Sequence, residues 1–153
     1  DVSQLMALNS VIFDSGRPVL VMPDQCKPKF PYKNILISWN GSKESARAIG
    51  LAIPFLQMSE RNIVFSLESP SNRKLDIDEL TRYLSGHNIQ VEVVKSRADI
   101  SSVGKHLLNQ AQVSNVDLIV MGAYTQTRMR RLVLGGVTRH VLENTKVQVL
   151  MAH

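Results

Sequence analysis

Cysteine is almost missing from this chain: Cys26 is the only one in 153 residues. An internal disulfide is therefore excluded, which suits a reducing compartment and points to the cytoplasm. Aromatic residues make up only 5%, too few for the ring platforms on which single-stranded nucleic acid stacks. No apolar run approaches the ~18 residues that a membrane-spanning helix needs, and no membrane association is expected. No signal-peptide pattern opens the chain. It starts at Asp1 and not at Met, which reads as a processed or truncated piece, so the missing leader weighs less. His87, His106, His140 and His153 form no pair at metal-ligand spacing, and Cys26 has no second thiolate. No nucleophile–base or paired-carboxylate constellation stands out, so an enzyme of ordinary speed is the least favoured class.

What is present is ordinary for a globular domain: 44% apolar, 20% charged, with a formal net charge of +5. The length supports one domain with a real core. The mild positive charge leans toward anionic partners without amounting to a nucleic-acid signature.

Hydrophobic periodicity then divides the chain. Residues 2–13 have helical spacing, closed by Ser15-Gly16, and 18–22 read as a short strand behind Pro18. Residues 23–33 carry Pro23, Pro28 and Pro31 among lysines and read as a linker. From residue 34 strands and helices alternate. A strand at 34–39 turns through Asn40-Gly41-Ser42 into a helix capped by Ser42. Its core stripe is expected at Ala46, Ile49, Ile53 and Leu56, and Pro54 is expected to kink or shorten it. A strand follows at 62–67, a helix at 76–85 and a strand at 89–94. The next helix, capped by Asp99 or Ser101, has Ile100, Val103, Leu107 and Ala111 inward. A strand at 117–121, a helix marked by Val137, Val141 and Leu142, and a strand at 147–151 complete the order. Strict alternation with short connections predicts an α/β fold: an open five-stranded parallel sheet, doubly wound in the Rossmann manner, with an extra N-terminal helix–strand pair. In the strand order 3-2-1-4-5 the reversal lies between the strands ending at Trp39 and Met121. The turn at Asn40 and the turn at Gly122 would then share one crevice, where such sheets bind ligands.

The stretch 121–138, M-G-A-Y-T-Q-T-R-M-R-R-L-V-L-G-G-V-T, gives that crevice its chemistry. Gly122 follows the apolar run Leu118-Ile119-Val120-Met121. Gly135 and Gly136 precede the last helix, after a basic loop with Arg128, Arg130 and Arg131. Glycines let backbone N–H groups approach an anion, and helix N-termini favour negative charge. The spacing fits a phosphate or nucleotide cradle; turn-making glycines in a solvated basic loop fit it as well.

Residues 11–20, V-I-F-D-S-G-R-P-V-L, parallel residues 141–150, V-L-E-N-T-K-V-Q-V-L, without a gap. The match reads residues 1–22 as the helix–strand tail of a preceding repeat, with a linker at 23–33 and the main domain at 34–153. Strand 18–22 is expected to pair with strand 147–151 and shield the sheet edge.

Three stretches, Ile35-Leu36-Ile37-Ser38-Trp39-Asn40-Gly41-Ser42, residues 117–122, and residues 122–138 with 147–151, together resemble the universal stress protein family, in a member built from tandem domains. The resemblance implies a stress-linked cytoplasmic module that forms homodimers through its last strand. In the family's ATP-binding subgroup a glycine motif holds the nucleotide. By position it falls on Gly122, Thr125, Gly135 and Gly136; Val137 follows within the binding stretch, and Thr138 matches a further hydroxyl position that contacts phosphate. Asn40 falls where the subgroup has an acidic residue near the nucleoside, and Leu67 where a second-strand residue borders the adenine. Thr125, Gly136 and Asn40 depart from the pattern, replacing a glycine, a hydroxyl donor and a carboxylate. Two functions follow as alternatives: a regulatory module that binds ATP, with Mg as the only accompanying metal and at most slow hydrolysis, or a domain that dimerises or docks a partner without nucleotide.

Overall fold

A computed structural model of the chain describes residues 2–68, 77–97, 99–123, 125–128 and 131–153. The elements run α1 (Val2–Asp14), β1 (Val19–Val21), β2 (Asn34–Trp39), α2 (Lys43–Met58), β3 (Arg61–Glu68), α3 (Ile77–Gly86), β4 (Glu92–Arg97), α4 (Val103–Val113), β5 (Leu118–Gly122), β6 (Thr125–Arg128), β7 (Arg131–Leu134), α5 (Gly136–Asn144) and β8 (Gln148–Ala152). One sheet has the order β1-β8-β5-β2-β3-β4. Five of its strands, β8, β5, β2, β3 and β4, are mutually parallel and follow the order expected from the alternation. The sixth, β1, is antiparallel to β8, with Val19 opposite Met151 and Val21 opposite Val149.

The strands lie between two apolar layers, so the central ones are apolar on both faces. Leu118, Ile119, Val120 and Met121 of β5 are all buried. Leu36, Ile63, Ile119 and Val149 face a cluster with α1, α4 and α5, through Ile12, Leu107 and Val141. Ile35, Ile37, Val64 and Val120 face the opposite cluster with α2 and α3, through Ile49, Leu56 and Leu84.

The helix after β2 starts where Ser42 caps it: the Ser45 N–H donates to Ser42 Oγ at 3.1 Å. Its buried stripe is Ser45, Ala48, Ile49, Ala52 and Leu56, whereas Ala46 is exposed and Ile53 only half-buried. Ile49 and Leu56 are buried as expected, and the small residues Ser45, Ala48 and Ala52 between them let α2 approach the sheet closely. Pro54 does not shorten the helix, which continues to Met58.

Other expectations shift for local reasons. The strand expected at 89–94 begins only at Glu92. Asn88 adopts φ 59, and the Ile89 N–H bonds back to the Leu84 carbonyl at 3.0 Å. Ile89 is 2% exposed and packs beneath α3 as the end of a helix cap. Neither Asp99 nor Ser101 caps α4. The chain enters through a 3-10 turn at Ile100–Ser102, and Ser102 takes the N-cap position without a side-chain cap bond. The expected basic loop holds an antiparallel hairpin, with Thr125 opposite Leu134 and Arg128 opposite Arg131. Asp76 and Arg130 lie outside the described residues.

The amino end of the sheet is tied to the 23–33 segment by Asp117. Its carboxylate accepts from the Lys33 N–H at 2.9 Å and the Asn34 N–H at 3.3 Å, and pairs with Lys29 at 3.2 Å. Burial pushes this carboxyl upward, but the two N–H donors and the Lys29 ammonium outweigh it and hold the group below the usual carboxylate range. Nearby, the buried Tyr32 hydroxyl donates to Gln148 Oε1 at 2.5 Å.

Candidate functional site at the carboxyl rim of the sheet

The reversal of strand order lies between β2 and β5, which pair directly and in parallel, with Ile37 opposite Val120. Both strands end at the same rim, β2 at Trp39 and β5 at Gly122. The turn after β2 is locally locked. Asn40 Oδ1 accepts the Ser42 N–H at 3.0 Å, and Gly41 takes φ 74, a conformation open to glycine. Because a backbone N–H can only donate, the atom facing it is the amide oxygen, and the amide NH₂ is the group left to meet a ligand. That nitrogen makes no hydrogen bond among the described residues. One residue earlier, Trp39 Nε1 is buried with no partner among the described residues.

Gly122 meets the turn's helix directly. A β-carbon there would lie 2.6 Å from Ser45 N and 2.7 Å from the Glu44 carbonyl carbon. The absent side chain therefore lets the first turn of α2 close on the end of β5. Sequence spacing suggests a turn or a phosphate contact at Gly122 and misses this packing role, which only the non-local approach of α2 creates. The crevice has no room for a ligand between Gly122 and Ser45; a ligand would lie above them, on the rim.

The start of α5 belongs to the same rim, since α5 runs from it back to the amino end where β8 begins. Gly135 is the N-cap, with φ −62 and ψ 158 and no side-chain cap bond. Gly136 is exposed, and a β-carbon placed on it would have no neighbouring atom within 4 Å. Val137 is half-buried against the α4–α5 layer, and Thr138 is fully buried. Gly135 thus brings no side-chain acceptor to the start of α5, the kind of helix end where backbone N–H groups meet anions. Thr125 opens β6 and sits in extended backbone paired with Leu134. A β-branched residue is at home there, so the strain of a left-handed position does not arise. The backbone of Leu67, opposite Ser96, lies on β3 beside the end of β2, where Trp39 is opposite Ser66.

The arrangement thus gathers Asn40, Gly122, Gly135 and Gly136 at one rim, with the Leu67 backbone beside it. A polyanion fits the α5 end, where the cap supplies no acceptor and Gly136 leaves open space. A neutral hydrogen-bonding group fits the Asn40 end. Among the described residues no cluster of three His, Cys, Asp or Glu could hold a metal, and no helix is long and apolar enough to cross a membrane.

A family model described as the universal stress protein family matches residues 31–153. Among solved structures, the hypothetical protein MJ0577 is 19% identical, with 79% of this chain and 95% of that one covered at a TM-score of 0.66. A universal stress protein from Archaeoglobus fulgidus DSM 4304 is 18% identical at a TM-score of 0.74. It covers 95% of this chain, which spans 54% of that protein's length. A universal stress protein in complex with cAMP is 20% identical, with 80% and 97% covered and a TM-score of 0.63. No curated protein sequence matches the chain.

Proposed function

The chain belongs to the universal stress protein family, and from that premise we propose that it is a stress-response regulatory module that binds a nucleotide, ATP or a relative of it, on the rim between β2 and β5. The observation that carries this reading is the start of α5, where Gly135 offers no side-chain acceptor and Gly136 is open. Phosphate would lie on the α5 amides, as anions do at helix N-termini. The Asn40 NH₂ would donate to the nucleoside, and a ribose hydroxyl can accept such a bond. Trp39 Nε1, buried without a partner among the described residues, gains from any acceptor brought within its reach. A neighbour of the same fold was solved with cAMP, which supports a nucleotide as the ligand class. Mg would arrive with the phosphates, and turnover, if any, would be slow.

The test pairs ligand with substitution. Melting temperature should rise with millimolar ATP or cAMP in the wild type. Gly136→Glu should fold normally, because its side chain has open space and suits the positive end of a helix. It should lose the ligand-induced rise by repelling phosphate. No rise in the wild type with either nucleotide removes the proposal.

A second reading, docking or dimerisation without nucleotide, has its own observation. The β1 strand is one open edge of the sheet, and Leu20 within it and Met22 just after it are 46% and 49% exposed. Since β8 has neighbours on both sides, a second copy could not pair with it, and one extending that side of the sheet would add at β1. Light scattering of the wild type and of Leu20→Asp tests the dimer: a dimer lost in the variant supports it, and a monomer throughout excludes it.

A further inference from the structure

A second recess lies on the α4–α5 side of the sheet. Helices α4 and α5 touch at Gly104 and His140, where a β-carbon on Gly104 would sit 2.8 Å from His140 Cδ2. Beyond that contact a cavity of about 820 Å³ opens between α4 and the turn from α5 into β8. Leu108, Val116 and Val147 give it an apolar lining, all three packed into the layer formed by α1, α4 and α5. Lys105, His106 and Lys146 stand exposed around it. No Asp or Glu lines it among the described residues, and neither lysine has an ion-pair partner among them.

The recess is long. It follows α4 over its whole length, about 16 Å at 1.5 Å per residue. Its two lysines lie near opposite ends. Lys105 is in the first turns of α4, whereas the pairing of Leu118 with Gln148 sets Lys146 level with Val116, beyond the last turn. A compact anion would meet only one of the lysines. An extended apolar trough with separated cations of one sign instead matches an amphipathic helix that lays its apolar stripe along a groove. Its flanking residues must then be acidic, because charge complementarity steers association and fixes register.

We propose that the groove between α4 and the α5–β8 turn is a docking site for an acidic amphipathic helix of a partner protein, about three turns long. Leucine-like side chains at i, i+3/i+4 and i+7 contact Leu108, Val116 and Val147. Carboxylates toward the two ends of that helix meet Lys105 and Lys146. The Gly104–His140 contact holds the walls together, so the groove is preformed and little ordering accompanies binding. The groove runs from near the carboxyl rim, where α4 begins, to the amino end of the sheet, and the proposal does not rest on nucleotide binding.

The probe is a fluorescein-labelled, end-blocked helical peptide of about 14 residues, with one leucine stripe flanked by glutamates. A counterpart has lysine for every glutamate. Anisotropy is followed on the full chain. The acidic peptide should bind, more weakly as salt rises, and the basic one should not. Lys105→Glu with Lys146→Glu should weaken acidic-peptide binding about tenfold or more while melting temperature stays unchanged, since both side chains are exposed. Binding that is equal in this double variant, or no binding of the acidic peptide at millimolar protein, overturns the proposal. So does a wild-type dimer that the double variant dissolves, because the groove would then be occupied by a second copy.

Discussion

The backbone nitrogen of Ser45 lies 2.6 Å from the point where a β-carbon on Gly122 would stand. The end of β5 and the first turn of α2 are thus in backbone contact, and the carboxyl rim is assembled around that contact. Both neighbours are main-chain atoms near the start of a helix, so neither can swing aside as a side chain would. Gly122→Ala should destabilise the domain by about 1–3 kcal/mol, the range for overpacking a tight contact. Urea denaturation measures it. A variant within experimental error of the wild type would mean that α2 shifts freely, and that the rim is not fixed by this contact.

Asp117 makes stability depend on acidity in a defined direction. Its carboxyl is pushed up by burial, but the Lys33 and Asn34 N–H groups and Lys29 outweigh that and hold it low in the folded chain. The folded state therefore binds this proton less readily than the unfolded one. The contribution is fully present above the unfolded value, about 4, and is lost as pH falls through the lower folded value. Asp117→Ala should cost about 1–3 kcal/mol at neutral pH, because two backbone donors lose their acceptor. It should also flatten the acid limb of the stability profile below about pH 4. A parallel acid limb in wild type and variant would assign the acid sensitivity elsewhere.

The Tyr32–Gln148 bond joins the 23–33 segment to the start of β8 beneath the sheet. Burial, with a smaller push from the charge of Cys26, raises the Tyr32 hydroxyl above its ordinary value. The folded state therefore keeps this proton longer. The contribution is complete below the unfolded value, about 10, and declines as pH rises through the folded one. Tyr32→Phe leaves Gln148 Oε1 buried without its donor and should cost about 1–3 kcal/mol. Ultraviolet titration should show one tyrosinate appearing later than the others in the wild type, and that late component should vanish in Tyr32→Phe.

How much of this is legible in the sequence depends on how local the cause is. The strand at Asn34–Trp39 and its Ser42 cap are readable because an apolar run, a glycine turn and a capping hydroxyl follow one another directly. The strand order is readable because strict alternation leaves few topologies open. The α2 stripe is half legible: Ile49 and Leu56 are readable as core, but the small residues Ser45, Ala48 and Ala52 that pack with them give no apolar signal strong enough to displace Ala46 and Ile53. The β6–β7 hairpin carries no signal: Met129-Arg130 is no Asn-Gly or Gly-X turn pair, and four arginines from 128 to 139 suggest solvent. At the candidate site, the glycines at 122, 135 and 136 are visible as residues. Gly122's role is not, because it depends on a helix that starts almost eighty positions earlier in the chain.

The most direct test of the central claim follows backbone amides in a ¹⁵N-labelled chain as MgATP is added. If the start of α5 receives phosphate, the N–H resonances of Gly136 and Val137 and the side-chain NH₂ of Asn40 should move together on one saturating curve, and Gly136→Glu should abolish the change. If those resonances stay still at millimolar MgATP, or if only groups around Lys105 and Lys146 respond, the rim is not a nucleotide site.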